Sequence, residues 1–290
     1  MRRVALTALF LLASCGLGDS ISGEPSSIEN APVDAAAGPN AYHFVAIGDW
    51  GTGFDTQHAL GRRMCQLHDQ RPFDIVVTSG DNIYEVGARS AFEAKFYDPF
   101  ACLFDRNVRF HATLGNHDII TRNGRPELNE ERFGMDGRNY VVREDGVRFV
   151  MVDSNDLRKR WLRNALETEE GDRWTIVLFH HPVYSSSTGH ESEGDFRFSL
   201  PKMFASRGVD LVINGHTHVY SLTKPLKKIR YVVTGGGSAS PHECARRWYT
   251  ARCIEEYHFL SVEAGNRAIH VTAIPPEGAP IDTFRTEGRS

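Results

Sequence analysis

Five clusters of carboxylate, amide and imidazole side chains punctuate the chain, each placed directly behind an apolar run. They read Ile47-Gly48-Asp49, Ser79-Gly80-Asp81-Asn82, Leu114-Gly115-Asn116-His117-Asp118, Phe179-His180-His181 and Ile213-Asn214-Gly215-His216-Thr217-His218. Oxygen and imidazole donors of this kind suit hard and borderline cations. The glycines beside them leave room for a buried ion. A lone Gly-Asp behind a strand is ordinarily a turn. Five such endings in succession point to one shared metal site. No nucleophile elbow is present, so serine acyl-transfer chemistry is not supported. The run Thr234-Gly235-Gly236-Gly237-Ser238 lacks the lysine of a nucleotide-phosphate loop and reads as room for backbone near the metals.

Elements that could bring these clusters together are visible in the hydrophobic pattern. Short β-branched runs at residues 43–47, 74–78, 108–114, 148–152, 175–179, 209–213 and 230–234 are buried-strand signals. Residues 55–69, with Leu60, Met64 and Leu67 at helical spacing, and residues 157–166, with Leu157, Trp161, Leu162 and Leu166, read as amphipathic helices. Alternation of strands and helices predicts an α/β protein. Residues 259–263 and 268–274, joined through Gly265-Asn266, predict an antiparallel hairpin and hence a mixed sheet system. Sites in such folds assemble at the carboxyl ends of strands, which is where all five clusters sit.

The clusters also carry a resemblance. Gly48-Asp49-Trp50-Gly51, Gly80-Asp81-Asn82-Ile83-Tyr84, Gly115-Asn116-His117-Asp118, His180-His181-Pro182-Val183-Tyr184 and Gly215-His216-Thr217-His218 occur in the order of the calcineurin-like metallophosphoesterases. Within that superfamily the chain resembles the small, tartrate-resistant type of purple acid phosphatase, over residues 43–274. The resemblance implies a four-layer α/β/β/α sandwich of two mixed β-sheets flanked by helices. Many superfamily members place a histidine two residues after the first aspartate. Gly51 stands there, and Tyr84, three residues after Asp81, occupies the position of the purple acid phosphatase tyrosinate. By that resemblance Asp49, Asp81, Tyr84 and His218 would hold Fe(III). Asp81, Asn116, His180 and His216 would hold a second divalent metal (Fe, Zn or Mn), with Asp81 bridging.

What the resemblance implies chemically is a binuclear acid phosphatase that hydrolyses phosphomonoesters, with a hydroxide from metal-activated water attacking phosphorus. His117 and His190 would protonate the leaving alkoxide or bind the phosphate. Histidines charged in acid suit an acidic optimum. Asp118 is expected to orient His117 or cap the adjoining helix, and His181 to pack beside the ligands. Residues 185–189, before His190, resemble a substrate-facing loop. A phosphodiesterase or nucleotide-cleaving enzyme is the alternative, and a non-catalytic surface binding protein is a more distant one.

Composition frames these readings. The 290 residues are 41% hydrophobic and 24% charged, with a net charge of −4, an ordinary globular profile. Arg2, Arg3 and the apolar run 4–13 have the form of a secretory signal, and Leu12-Ala13-Ser14-Cys15 resembles a bacterial lipobox. Residues 1–14 are therefore expected to be a lipoprotein signal, Cys15 a lipidated terminus, residues 15–41 a flexible tether, and residues 42–290 one domain. Loss of Arg2 and Arg3 leaves 31 basic against 37 acidic residues, a net charge of −6 that argues against nucleic-acid binding. The expected partners are a small phosphorylated substrate and a membrane reached through the lipid alone. The chain is read as a monomer in the cell envelope, and Gly16 after Cys15 favours the outer membrane. Export also means oxidising conditions. Cys65, Cys102, Cys244 and Cys253 allow three pairings or none, and the shortest loops join Cys65 to Cys102 and Cys244 to Cys253.

Overall fold

The computed structural model describes residues 38, 40–188, 190 and 194–288. The signal at 1–14, Cys15 and nearly all of the tether at 15–41 lie outside the described residues. Thirteen strands form two sheets: β1 Tyr42–Ile47, β2 Ile75–Thr78, β3 Arg109–Ala112, β4 Tyr140–Glu144, β5 Val147–Met151, β6 Trp174–Leu178, β7 Leu211–Asn214, β8 Tyr220–Thr223, β9 Arg230–Thr234, β10 Thr250–Ile254, β11 Phe259–Ala264, β12 Ala268–Ile274 and β13 Asp282–Glu287. The first sheet runs β13-β12-β11-β1-β2-β3 and the second β10-β8-β9-β7-β6-β5-β4. Both are mixed: β1, β2 and β3 are parallel, as are β5, β6, β7 and β9, and the remaining pairings are antiparallel.

Strand periodicity explains the layering. Alternate residues of a strand face opposite sides. On β1, Phe44 and Ala46 enter a core shared with Phe149, Ile176, Ile213 and Val262, which seals one sheet against the other. Val45 and Ile47 turn outward instead, onto helices α1 (Asp55–Gln70) and α2 (Asp98–Phe104) through Leu60, Met64 and Phe100. On the second sheet Val150, Val177 and Val212 do the same beneath Leu162, Leu200 and Phe204. After the short α3 (Arg125–Leu128), these last belong to α4 (Lys159–Ala165) and α5 (Gly194–Ser206). Strands apolar on both faces are what a doubly covered sheet requires. The result is helix, sheet, sheet, helix. Phe44 meets Phe149 edge-on at 4.8 Å across the inter-sheet seam.

The helix and strand expectations hold at their centres. The hairpin at 259–274 forms with the register Phe259 to Ile274. Strands β4, β8, β10 and β13 carry no clear apolar run and were not expected. Three of them lie at sheet edges, where half the side chains face solvent, as at Asp282 to Glu287, and the burial pattern that identifies an inner strand is diluted. The cysteines pair as Cys65–Cys102, which ties α1 to α2, and Cys244–Cys253.

Candidate metal centre

Each cluster sits in the turn that follows a strand end. Asp49, Asp81 and His216 all adopt left-handed backbone, with φ of 58°, 51° and 70°. Side chains other than glycine rarely occupy that region, and it is stored at positions the surrounding structure over-determines. Backbone groups hold these turns. Asp49 N–H donates to Gly80 O at 3.0 Å, and His216 N–H donates to both Asp49 carboxylate oxygens at 2.9 and 3.0 Å. His117 N–H donates to Asp81 Oδ1 at 3.0 Å. A Cβ on Gly115 would collide with that same carboxylate, so the glycine is needed for the approach.

Two groups of donor atoms result. In the first, Tyr84 Oη lies 3.3 Å from Asp49 Oδ1, 3.1 Å from Asp81 Oδ2 and 3.1 Å from His218 Nε2. In the second, His180 Nε2, His216 Nδ1 and Asn116 Oδ1 are mutually 2.9 to 3.2 Å apart. Asp81 Oδ2 joins the two, being 3.4 Å from His180 Nε2. All seven residues expected as ligands are thus brought together, with Asp81 between the groups.

The donor set fits cations. Atoms bound roughly 2.1 Å from one ion at right angles stand about 3 Å apart, the spacing seen in both groups. The imidazoles are oriented from behind. His180 Nδ1–H donates to Ser79 O at 3.0 Å and His218 Nδ1–H to Ser240 O at 2.9 Å, which turns each Nε2 towards the cluster. Two carboxylates and a phenol converging on one point need positive charge nearby. Burial, reinforced by Asp49 and Asp81, pushes the Tyr84 hydroxyl far above the usual phenol range. Burial also works to raise the Asp81 carboxyl, but the His180 imidazole and, behind it, His117 hold it well below the carboxylate range. His180 in turn is raised to about 9 by Asp81 despite its burial.

This arrangement decides the family. A model of the calcineurin-like phosphoesterases matches residues 42–220, which includes every donor named above. The chain belongs to the calcineurin-like phosphoesterase family. It is an enzyme of that family, a metal-dependent phosphoesterase. Purple acid phosphatase 4 of Arabidopsis thaliana is 24% identical over 93% of this chain and 87% of its own length. Among solved structures, the purple acid phosphatase PPD1 from yellow lupin (Lupinus luteus) shares the fold with a TM-score of 0.74 at 19% identity, over 85% of this chain and 54% of that one. GAP50, the anchor in the inner membrane complex of Plasmodium, does so with a TM-score of 0.73 at 18% identity, over 86% and 90%.

The other expected residues are placed as follows. His117 is half-buried at the mouth, with Nδ1–H donating to Glu85 O at 2.7 Å and its ring 4.6 Å from that of Tyr84. His190 reaches the same mouth from the opposite side, its ring 5.1 Å from His216. His181 packs 4.7 Å from the His216 ring and engages Ser154 Oγ through Nδ1 at 2.9 Å. Asp118 departs from expectation. Its carboxylate neither touches His117 nor caps a helix among the described residues. Instead it accepts backbone N–H groups of Asn82, Ile83 and Gly115 at 2.7 to 3.0 Å, because it is fully buried between the turns after β2 and β3 and must satisfy its oxygens there. It clamps the Asp81 turn to the Asn116 turn. Asn82 and Glu127 extend this clamp, with Asn82 Nδ2 donating to Glu127 Oε2 at 3.0 Å. Burial and the neighbouring Asp118 keep the Glu127 carboxyl well above its ordinary range. Sequence reasoning named Asn82 only as a member of its cluster, missed Glu127, and missed His242, which stacks on His218 at 4.1 Å. The signal for His242 was present: an imidazole in a Gly-rich stretch after β9 repeats the pattern of the five clusters.

Proposed function

We propose that the protein is a binuclear acid phosphatase of the purple type, hydrolysing phosphomonoesters, with Fe(III) held by Asp49, Asp81, Tyr84 and His218. Asp81, Asn116, His180 and His216 would hold a divalent iron, zinc or manganese. The observation that carries this is the single oxygen, Asp81 Oδ2, shared by an oxygen-rich and a nitrogen-rich donor group. Hard carboxylate and phenol donors favour a trivalent ion, and neutral Asn and His suit a divalent one. When bound, two such cations supply Lewis-acid activation of water and a clamp for the phosphoryl oxygens.

The chain's own residues do the rest. Glu85 O fixes the His117 ring by accepting a hydrogen bond from its Nδ1–H, so a proton on Nε2 is the one the ring would pass to the leaving alkoxide. His190, across the mouth, supplies a hydrogen bond to the phosphate. The clamp formed by Asp118 and Asn82 keeps the two ligand turns from drifting apart. Export and lipid anchoring through Cys15 belong to the same reading, and Cys15→Ser is expected to move the protein out of the membrane fraction. The fold of GAP50 gives a second reading, a non-catalytic anchor. It is disfavoured by the complete set of seven donors.

The test compares turnover of p-nitrophenyl phosphate and bis-p-nitrophenyl phosphate by iron- and zinc-loaded protein from pH 4 to 8. Faster monoester cleavage with an acidic optimum is expected. A diester preference would move the enzyme to another branch of its family, and no turnover with full metal occupancy would favour the anchor. A second readout addresses the iron alone. The oxidised protein should be coloured by a tyrosinate-to-iron band that Tyr84→Phe abolishes, and a colourless iron-loaded parent would overturn the Tyr84 assignment.

A further inference from the structure

Three imidazoles form a column at the mouth of the site. The His242 ring lies 4.1 Å from His218 at an interplanar angle of 19°, and 4.5 Å from His190 at 7°. Both neighbours are stacked face to face, with His242 between them. Two backbone bonds fix the middle ring: His218 N–H donates to His242 Nδ1 at 3.2 Å, and His242 N–H donates to His218 O at 3.1 Å. Because Nδ1 accepts, the proton of the neutral ring sits on Nε2. His190, by contrast, is exposed.

The segment after His242 also grips the loop that carries His190. Ser187 and Cys244 form an antiparallel bridge, Thr188 N–H donates to Glu243 O at 3.0 Å, and Ala245 N–H donates to Ser186 O at 2.8 Å. Ser185 Oγ then donates to His190 O at 2.6 Å. Cys244 is itself tied to Cys253. The backbone of the His190 loop is thus strapped down from one side, and the His190 ring is supported by the first side chain of the same strap.

We propose that His242 is a positioning residue for His190: wedged between His218 and His190, its ring sets the plane that His190 presents to a bound phosphate. The kinetic consequence rests on the phosphatase reading, while the stack stands on geometry alone. An imidazole held in one plane loses less freedom when it engages an anion than one that rotates freely. His242 therefore acts on substrate affinity more than on the chemical step.

The test uses the full chain with zinc, which is diamagnetic, and follows the ring-proton resonances of His190, assigned with His190→Asn. In the parent the His242 face should shift them upfield. His242→Ala should return them to unstacked positions, whereas His242→Phe, which keeps a flat ring, should retain the shift. With p-nitrophenyl phosphate, His242→Ala should raise KM about tenfold with a smaller change in kcat, and His242→Phe should recover most of it. The Tyr84 band of the iron form should be unchanged in both variants. His190 resonances and KM in His242→Ala that match the parent would overturn the proposal. A parent that leaves phosphomonoesters intact would sink the phosphatase reading, and the resonances would still decide the stack.

Discussion

The two sheets build opposite walls of the site with different chemistry. The turns after β1, β2 and β3 give Asp49, Asp81, Tyr84, Asn116 and His117, nearly all oxygen donors. The turns after β6, β7 and β9 give His180, His181, His190, His216, His218 and His242, all imidazoles. The oxygen wall is tight. Its turns are bonded to one another through Asp118, and its carboxylates are buried. The imidazole wall reaches the surface through a disulfide-tied strap. The difference teaches that the buried carboxylates sit on short turns bonded to one another, whereas the two histidines proposed to face substrate are divided, His117 on those short turns and His190 on a separately braced segment.

The most damaging way to break this arrangement is to remove the atom both walls share. Asp81→Asn is expected to lose metal from both positions and to cut turnover at least about 10⁴-fold, as read by metal analysis and kcat. A variant with normal metal content would show that the walls hold their ions independently. Next in size is the seam between the walls. Phe44→Ala removes the ring that meets Phe149 and should cost about 3–5 kcal/mol, lowering Tm by about 10 °C. A loss under about 1 kcal/mol in urea denaturation would mean that the sheets are held in register by something other than this packing.

The smallest effect separates the sheets by their response to acid. His43 on β1 is held by Ser261 Oγ at 2.8 Å and Pro72 O at 3.1 Å, and burial lowers its pKa to about 4. Burial likewise lowers His258, just before β11, to about 4. A folded pKa below the unfolded value of about 6.5 means that the unfolded chain takes up the proton first as pH falls. The stability His43 contributes is complete above about pH 6.5 and drains away towards pH 4, by about 3 kcal/mol at the end. His43→Gln should flatten that slope, measured by urea unfolding at pH 7 and pH 4.5. An unchanged slope would shift the acid sensitivity to His258 or elsewhere.

How much of this was legible in the sequence follows from the same contrast. Asp49, Asp81, Asn116, His216 and His218 could be read because each follows a strand within a few residues with a glycine close by, whereas Tyr84 was placed by the family resemblance. The α/β alternation followed from the short apolar runs and the helical spacing between them, whereas the four layers were implied by the family resemblance. Asp118 was misread because its role depends on which backbone N–H groups a distant turn brings to it, and residue type alone says nothing of that. His242 was missed for a similar reason. It lies eight residues beyond β9, and a long-range backbone bond to His218 O places it at the mouth. Edge strands such as β13 were hidden by their half-polar pattern.

The position of β1 has one more consequence. It carries Asp49, the earliest donor in the chain, yet it is flanked by β2 on one side and by β11 on the other, with His43 opposite Glu263. Two neighbours separated by about 200 residues must both arrive before that strand is enclosed, and closing so long a loop is slow. A chain emerging from its N-terminus therefore displays its carboxylates early but cannot seat them until its last strands have docked. A metal ion met before that docking would find only part of the donor set.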